Sequence, residues 1–154
     1  MDSGVIRKSG AVCLFGDESA DSGKIFSLID NLLSDGYNMF IFPADSLFCL
    51  ECAKQVILRK KKQRGNVPDK IKLSAVVPFE EHINNRSEKF RDKYFEVLEK
   101  CDDVIVFDRK ESFIESDFSE FILNRSSILA CPEKGSEYAK LYAQAMGIKI
   151  IGIH

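Results

Sequence analysis

Six short apolar runs, each separated from the next by a stretch of helical spacing, constrain this chain more than any other feature. AVCLFG (11–16), MFIFPA (39–44), IKLSAVV (71–77), DVIVF (103–107), SILAC (127–131) and IKIIGI (148–153) are nearly continuous in apolar residues. Strands buried on both faces read this way, whereas strands with one wet face alternate. Between them, DSGKIFSLIDNLLSDG offers Asp21 or Ser22 as a cap, places Ile25, Leu28, Ile29, Leu32 and Leu33 on one helical face and ends at Gly36. A second helix runs from Leu47 through Leu58 into RKKKQRG, and a third carries Phe90, Tyr94, Val97, Leu98 and Cys101 on one side. Ser112 and Glu115 have capping-box spacing and open a fourth through Phe118, Phe121 and Ile122. Ser136 caps a fifth, which Gly147 ends, while the polar stretch FEEHINNR (79–86) reads as a loop.

Parallel strands need crossover connections, and the crossovers cover both faces of the sheet. The alternation therefore predicts an α/β fold: a single three-layer Rossmann-like domain, with a mostly parallel sheet of about six strands and helices on both faces. With 154 residues, the chain supports one well-buried core, assigned to residues 10–154 behind a flexible N-terminal segment, 1–9. A formal net charge of -2 gives no global reason to expect nucleic acid or an anionic membrane as partner. No apolar run approaches the roughly 20 residues of a membrane span, and MDSGVIRKSG lacks a signal-peptide h-region, so a cytoplasmic location is expected.

In such a sheet, ligands bind beyond the carboxyl ends of the strands, where helix N-termini aim unpaired N–H groups. The candidate binding residues are therefore Gly16, Asp17 and Glu18 after the first strand, and Pro43, Ala44, Asp45 and Ser46 after the second. Pro78 and Glu80 follow the third, and Gly135, Ser136, Glu137 and Tyr138 follow the fifth. Lys134-Gly135-Ser136 is the most phosphate-like of these turns, although any strand-to-helix connection calls for similar residues. Neither G-x-G-x-x-G nor G-x-x-x-x-G-K-[ST] occurs. Cys49 and Cys52 have the spacing of half a zinc site that nothing completes, so no metal is expected and the five cysteines read as reduced core residues. His82 and His154 read as solvated, as does the basic run Arg59 to Lys62 with Arg64. No catalytic residue is assigned.

Taken in order, these segments resemble the YpsA-like branch of the SLOG superfamily. "IKLSAVVPFEEHINNRSEKFRDKYFEVLEKCDDVIVF" is similar to that family's strand, Pro-Phe or Pro-Cys loop and Tyr-bearing helix. "FILNRSSILACPEKGSEYAKLYAQAMGIKIIGI" is similar to the segment in which a Gly-Gly-Thr turn opens the last helix. The resemblance implies a Rossmann-like domain that binds a nucleotide or ADP-ribose-type ligand without chemistry of its own. Departures are plain: the glycine-rich second loop is "FPADSLFCLECAKQV", and "FGDES" stands where a basic "TGHR" is usual. Ala139 stands where the related phosphoribohydrolases carry a glutamate, which speaks against catalysis. Two rivals remain: a nucleotide N-glycosidic hydrolase using Glu18, Glu80 or Glu81, and a degenerate interaction module acting through its surface or a homodimer face.

Overall fold

Each apolar run forms a strand, and each helical pattern a helix, in the order the alternation predicts. The computed structural model describes residues 10–16, 21–63, 65 and 70–153; the N-terminal segment 1–9, Asp17, Glu18, Arg64 and His154 lie outside the described residues. The order is β1 (Ala11–Leu14), α1 (Ser22–Ser34), β2 (Met39–Pro43), α2 (Leu47–Lys62), β3 (Lys72–Val77) and α3 (Glu88–Glu99). It continues with β4 (Asp103–Val106), α4 (Glu115–Leu123), β5 (Ser126–Pro132), α5 (Glu137–Ala145) and β6 (Lys149–Ile153). Part of the expected 79–86 loop is a 3₁₀ turn, Glu80–Ile83, and another spans Lys110–Ser112.

All strands are parallel, and their order across the sheet is β4-β3-β2-β1-β5-β6. Alternate residues of β1 explain why helices are needed on both sides. Val12 and Leu14 join α1, α2 and α3 in one apolar layer. Ala11 and Cys13 join α4 and α5 in the other. The first three crossovers step outward over one face; the chain then returns from β4 at the sheet edge to β5 beside β1, and α4 crosses the opposite face. This is a three-layer Rossmann-like α/β domain. No helix among the described residues is long and apolar enough to cross a membrane.

Capping differs between the two layers. Asp21 accepts hydrogen bonds from the N–H groups of Gly23 (2.8 Å) and Lys24 (3.2 Å), Ser46 from Cys49 (3.2 Å), and Ser87 from Phe90 (3.2 Å). Helices α4 and α5 begin without a side-chain cap among the described residues. The Ser112–Glu115 capping box does not form: Ser112 sits in the 3₁₀ turn and its hydroxyl is 3.1 Å from Asp108 Oδ1, while Ile114 occupies the cap position of α4. The aspartate at the end of the preceding strand competes for the hydroxyl before the helix starts.

Phe48 at the start of α2 is fully buried in the larger layer. Phe48→Ala removes a ring that neighbouring backbone cannot collapse to replace, so it is expected to cost about 3–5 kcal/mol. A loss of unfolding free energy below about 1 kcal/mol in urea titration would show the ring to be peripheral.

Candidate functional site

The exits of β1 and β2 are filled by their own packing. Gly16 is buried, and a Cβ added there would lie 2.7 Å from Phe48 Cδ2 and 2.8 Å from Pro132 Cδ, so only glycine permits this approach. Ser46 Oγ donates to the Gly16 carbonyl at 2.5 Å, and Arg86 Nη1 to the Asp45 carbonyl at 2.9 Å. Pro43, Ala44 and Pro78 are buried. Glu80 is exposed in the 3₁₀ turn after β3. Gly16, Pro43, Ala44, Ser46 and Pro78 are therefore interior, with Gly16 against Phe48, while Asp45 is half-buried and Glu80 exposed.

The exits of β1 and β5, where the strand order reverses, hold a cavity of about 520 Å³. Its polar lining comes from Glu115, Ser116 and Ser119 of α4 and from Ser136 and Glu137 at the start of α5. Phe15, Ile114, Tyr138 and Ala139 form its apolar wall. Ser136, Glu137 and Tyr138 were foreseen here; the α4 residues and Phe15 were not. No local signal marks Glu115 and Ser116 as partners of Ser136, because the fold joins them only through the return to β5. A groove of about 560 Å³ also runs along α1 beside the edge strand β6.

Ser136 departs from the expected cap. Its φ of 56° and ψ of 37° place it in the left-handed region, directly after Gly135 at φ 89°. An N-cap side chain reaches the helix N–H groups from an extended backbone. Left-handed backbone turns the Ser136 hydroxyl elsewhere: Oγ is buried and has no hydrogen-bond partner among the described residues. Such a conformation in a non-glycine residue costs of order 1–3 kcal/mol. Lys140 Nζ donates to the Glu133 carbonyl at 2.6 Å across the base of this turn.

Tyr138 is 46% exposed, stacks on Tyr142 with centroids 6.4 Å apart, and donates its hydroxyl to Glu120 of α4. That hydrogen bond to a carboxylate holds the phenol above the ordinary tyrosine range. Tyr142 Oη bonds Asn124 Oδ1 at 2.6 Å, so two tyrosines of α5 tie it to α4 and hold the two helix starts side by side. The first residues of both helices thus line one cavity.

Other sequence expectations resolve as follows. His82 is not simply solvated: its ring packs edge-on to Phe79 and Tyr94, with Nε2 3.3 Å from Tyr94 Oη. Burial, then the charge of Arg86, lowers its pKa to about 4. Arg59 and Lys60 are also more than a solvated cap. The Arg59 guanidinium lies 4.0 Å from the Phe26 ring centroid, and Lys60 Nζ is 2.6 Å from Asp102 Oδ1. None of the five cysteines forms a disulfide, and burial pushes the Cys13 and Cys52 thiols well up and that of Cys101 to about 12. Among the described residues, no group of three or more metal-ligating side chains gathers.

No protein-family model matches this chain, and no curated protein does. Among solved structures it aligns with the crystal structure of the 4-hydroxy-2-oxoglutarate aldolase/2-deydro-3-deoxyphosphogluconate aldolase from TTHB1, at 13% identity and a TM-score of 0.27. That alignment covers 92% of this chain and 48% of the aldolase chain, about half its length. A likeness at this score carries no inference about fold or activity.

The lowered His82 pKa has a definite sign. The unfolded chain takes up this proton near pH 6.5 and the folded chain near 4, so stability is present above 6.5 and is lost as pH falls toward 4. Urea midpoints measured across that window should fall more steeply for the wild type than for His82→Gln; parallel profiles would remove His82 from the account.

Proposed function

We propose that this chain is a non-catalytic, SLOG-like binding domain whose ligand, a nucleotide-derived small molecule, sits in the cavity between the exits of β1 and β5. One observation carries the reading: a buried Ser136 hydroxyl, held in left-handed backbone and without a partner among the described residues, beside a 520 Å³ cavity. Buried polar groups in folded proteins are almost always satisfied, and a strained residue that lacks its partner marks a place where one is supplied. The volume is in the range of small-ligand sites, and the reversal of strand order is where such sheets bind.

A thermal-shift panel of nucleosides, nucleotides and ADP-ribose-type derivatives tests this directly. A ligand at about one hundred times its Kd stabilises by about 2.7 kcal/mol. Ser136→Gly suits positive φ and removes the unsatisfied hydroxyl, so the unliganded Tm should hold or rise while the ligand-induced shift shrinks. A lower Tm with an undiminished shift would assign the hydroxyl to the fold rather than to a ligand.

A second reading, an interaction module, is favoured by the filled β1 and β2 exits and by the edge strand β4. There Val104 and Val106, on one face of the strand, are each 46% exposed. Open edges invite pairing with another chain. On this reading, light scattering finds a dimer that Val104→Lys dissolves; a monomer at high concentration removes it.

A further inference from the structure

We propose that a second cavity, at the opposite end of the sheet, binds a single-chain alkyl carboxylate, its tail against the strands and its head taken by Lys72 and Arg125. This site is separate from the cavity at the β1 and β5 exits and stands or falls without it.

Unequal layering makes the cavity. Three helices cover one face of the sheet and two cover the other. On the second face, α4 packs against β2 and β5, and α5 against β6. At the strand starts on that side lies a cavity of about 330 Å³ with Ala11, Ile41 and Ile105 among its apolar lining. The register sets Ile41 beside Ser74, and Met39 beside Lys72 one step nearer the strand starts. Met39 is 44% exposed, the one exposed residue of an otherwise buried strand. The volume is at the small end of small-ligand sites, which suits one chain rather than two.

Cations stand where the cavity meets solvent. Lys72 and Arg125 line it and both are exposed, so a head group can reach them. Arg125 is held in place: Nη1 donates to the Phe121 carbonyl at 2.9 Å, and the guanidinium lies 3.6 Å from the Phe121 ring centroid. That bond uses one of five N–H donors, whose planar fork matches a carboxylate. Two carboxylates occupy the neighbouring strand start. Asp102 accepts from Lys60 Nζ at 2.6 Å and from the Leu73 N–H at 2.8 Å, and Asp103 Oδ2 accepts from Ser74 Oγ at 3.4 Å. Among the described residues, neither Lys72 nor Arg125 forms an ion pair. An apolar floor with two cations at its rim matches an anionic amphiphile and no purely polar or purely apolar molecule.

Titration calorimetry of the whole chain with octanoate, hexanoate and octanol, each below its aggregation threshold, tests the site. Octanoate should bind, with affinity falling about fourfold per methylene removed on going to hexanoate. Octanol, which has the tail without the charge, should bind about tenfold more weakly. Arg125→Gln and Lys72→Gln should each bring octanoate toward octanol, whereas Ser74→Phe should fill the cavity and abolish binding of both. Lys110→Gln, beyond the carboxyl end of β4, should change nothing and so controls for overall charge. Circular dichroism and urea titration establish that each variant is folded. The proposal is overturned if octanoate does not bind, if octanol binds as tightly, or if binding survives in folded Ser74→Phe. Octanoate affinity unchanged in both Arg125→Gln and Lys72→Gln overturns it equally, and would leave the guanidinium serving only the end of α4.

Discussion

Strand β1 has a parallel neighbour at each edge and a helical layer on each face, and everything else in the molecule follows from that confinement. Val12, Cys13 and Leu14 have no exposed surface. A strand so enclosed cannot be left in one direction only. The chain therefore builds outward through β2, β3 and β4, then returns across the opposite face to lay β5 on the free edge of β1. Where the two directions part, the connections separate, and the resulting gap is the cavity. Its position is a consequence of topology; its contents are a matter of side chains.

Those side chains treat the two halves of the strand-exit edge differently. Around Gly16, the Phe48 ring and the Ser46 hydroxyl from the β2 side and Pro132 from the end of β5 close the space to van der Waals contact. A loop rich in glycine would have left backbone N–H groups open there. The sequence FPADSLFC instead supplies a helix cap and a core residue, and the edge becomes interior. On the β5 side, the two helices that meet lack side-chain caps, and the hydroxyl best placed to cap one of them points away.

The strands and the layering were legible in the sequence because burial on both faces leaves a run of apolar residues that no other environment demands. The Asp21 cap was legible for a similar reason, since its interaction is local. What escaped was long-range or competitive. Glu115 and Ser116 join Ser136 only through the order of strands, which apolar runs do not encode. Ser112 has the right spacing for a capping box, yet Asp108, four residues back, takes its hydroxyl. His82 looked like a loop residue until a short 3₁₀ turn set it against Tyr94, a contact across twelve positions. Ser136 was identified as a site residue for the wrong geometry: left-handed backbone is not written in a Gly-Ser pair.

The absence of side-chain caps on α4 and α5 also bears on motion. A helix start without a side-chain cap opens at less cost than one locked by an aspartate or serine, and such openings set the exchange of its first amides. The two layers of this domain therefore differ at the same end of the sheet: Asp21, Ser46 and Ser87 lock the first turns of α1, α2 and α3, whereas α5 is held to α4 by Tyr138 and Tyr142. Occupancy of the cavity would be felt there as ordering, a change in local breathing more than in shape.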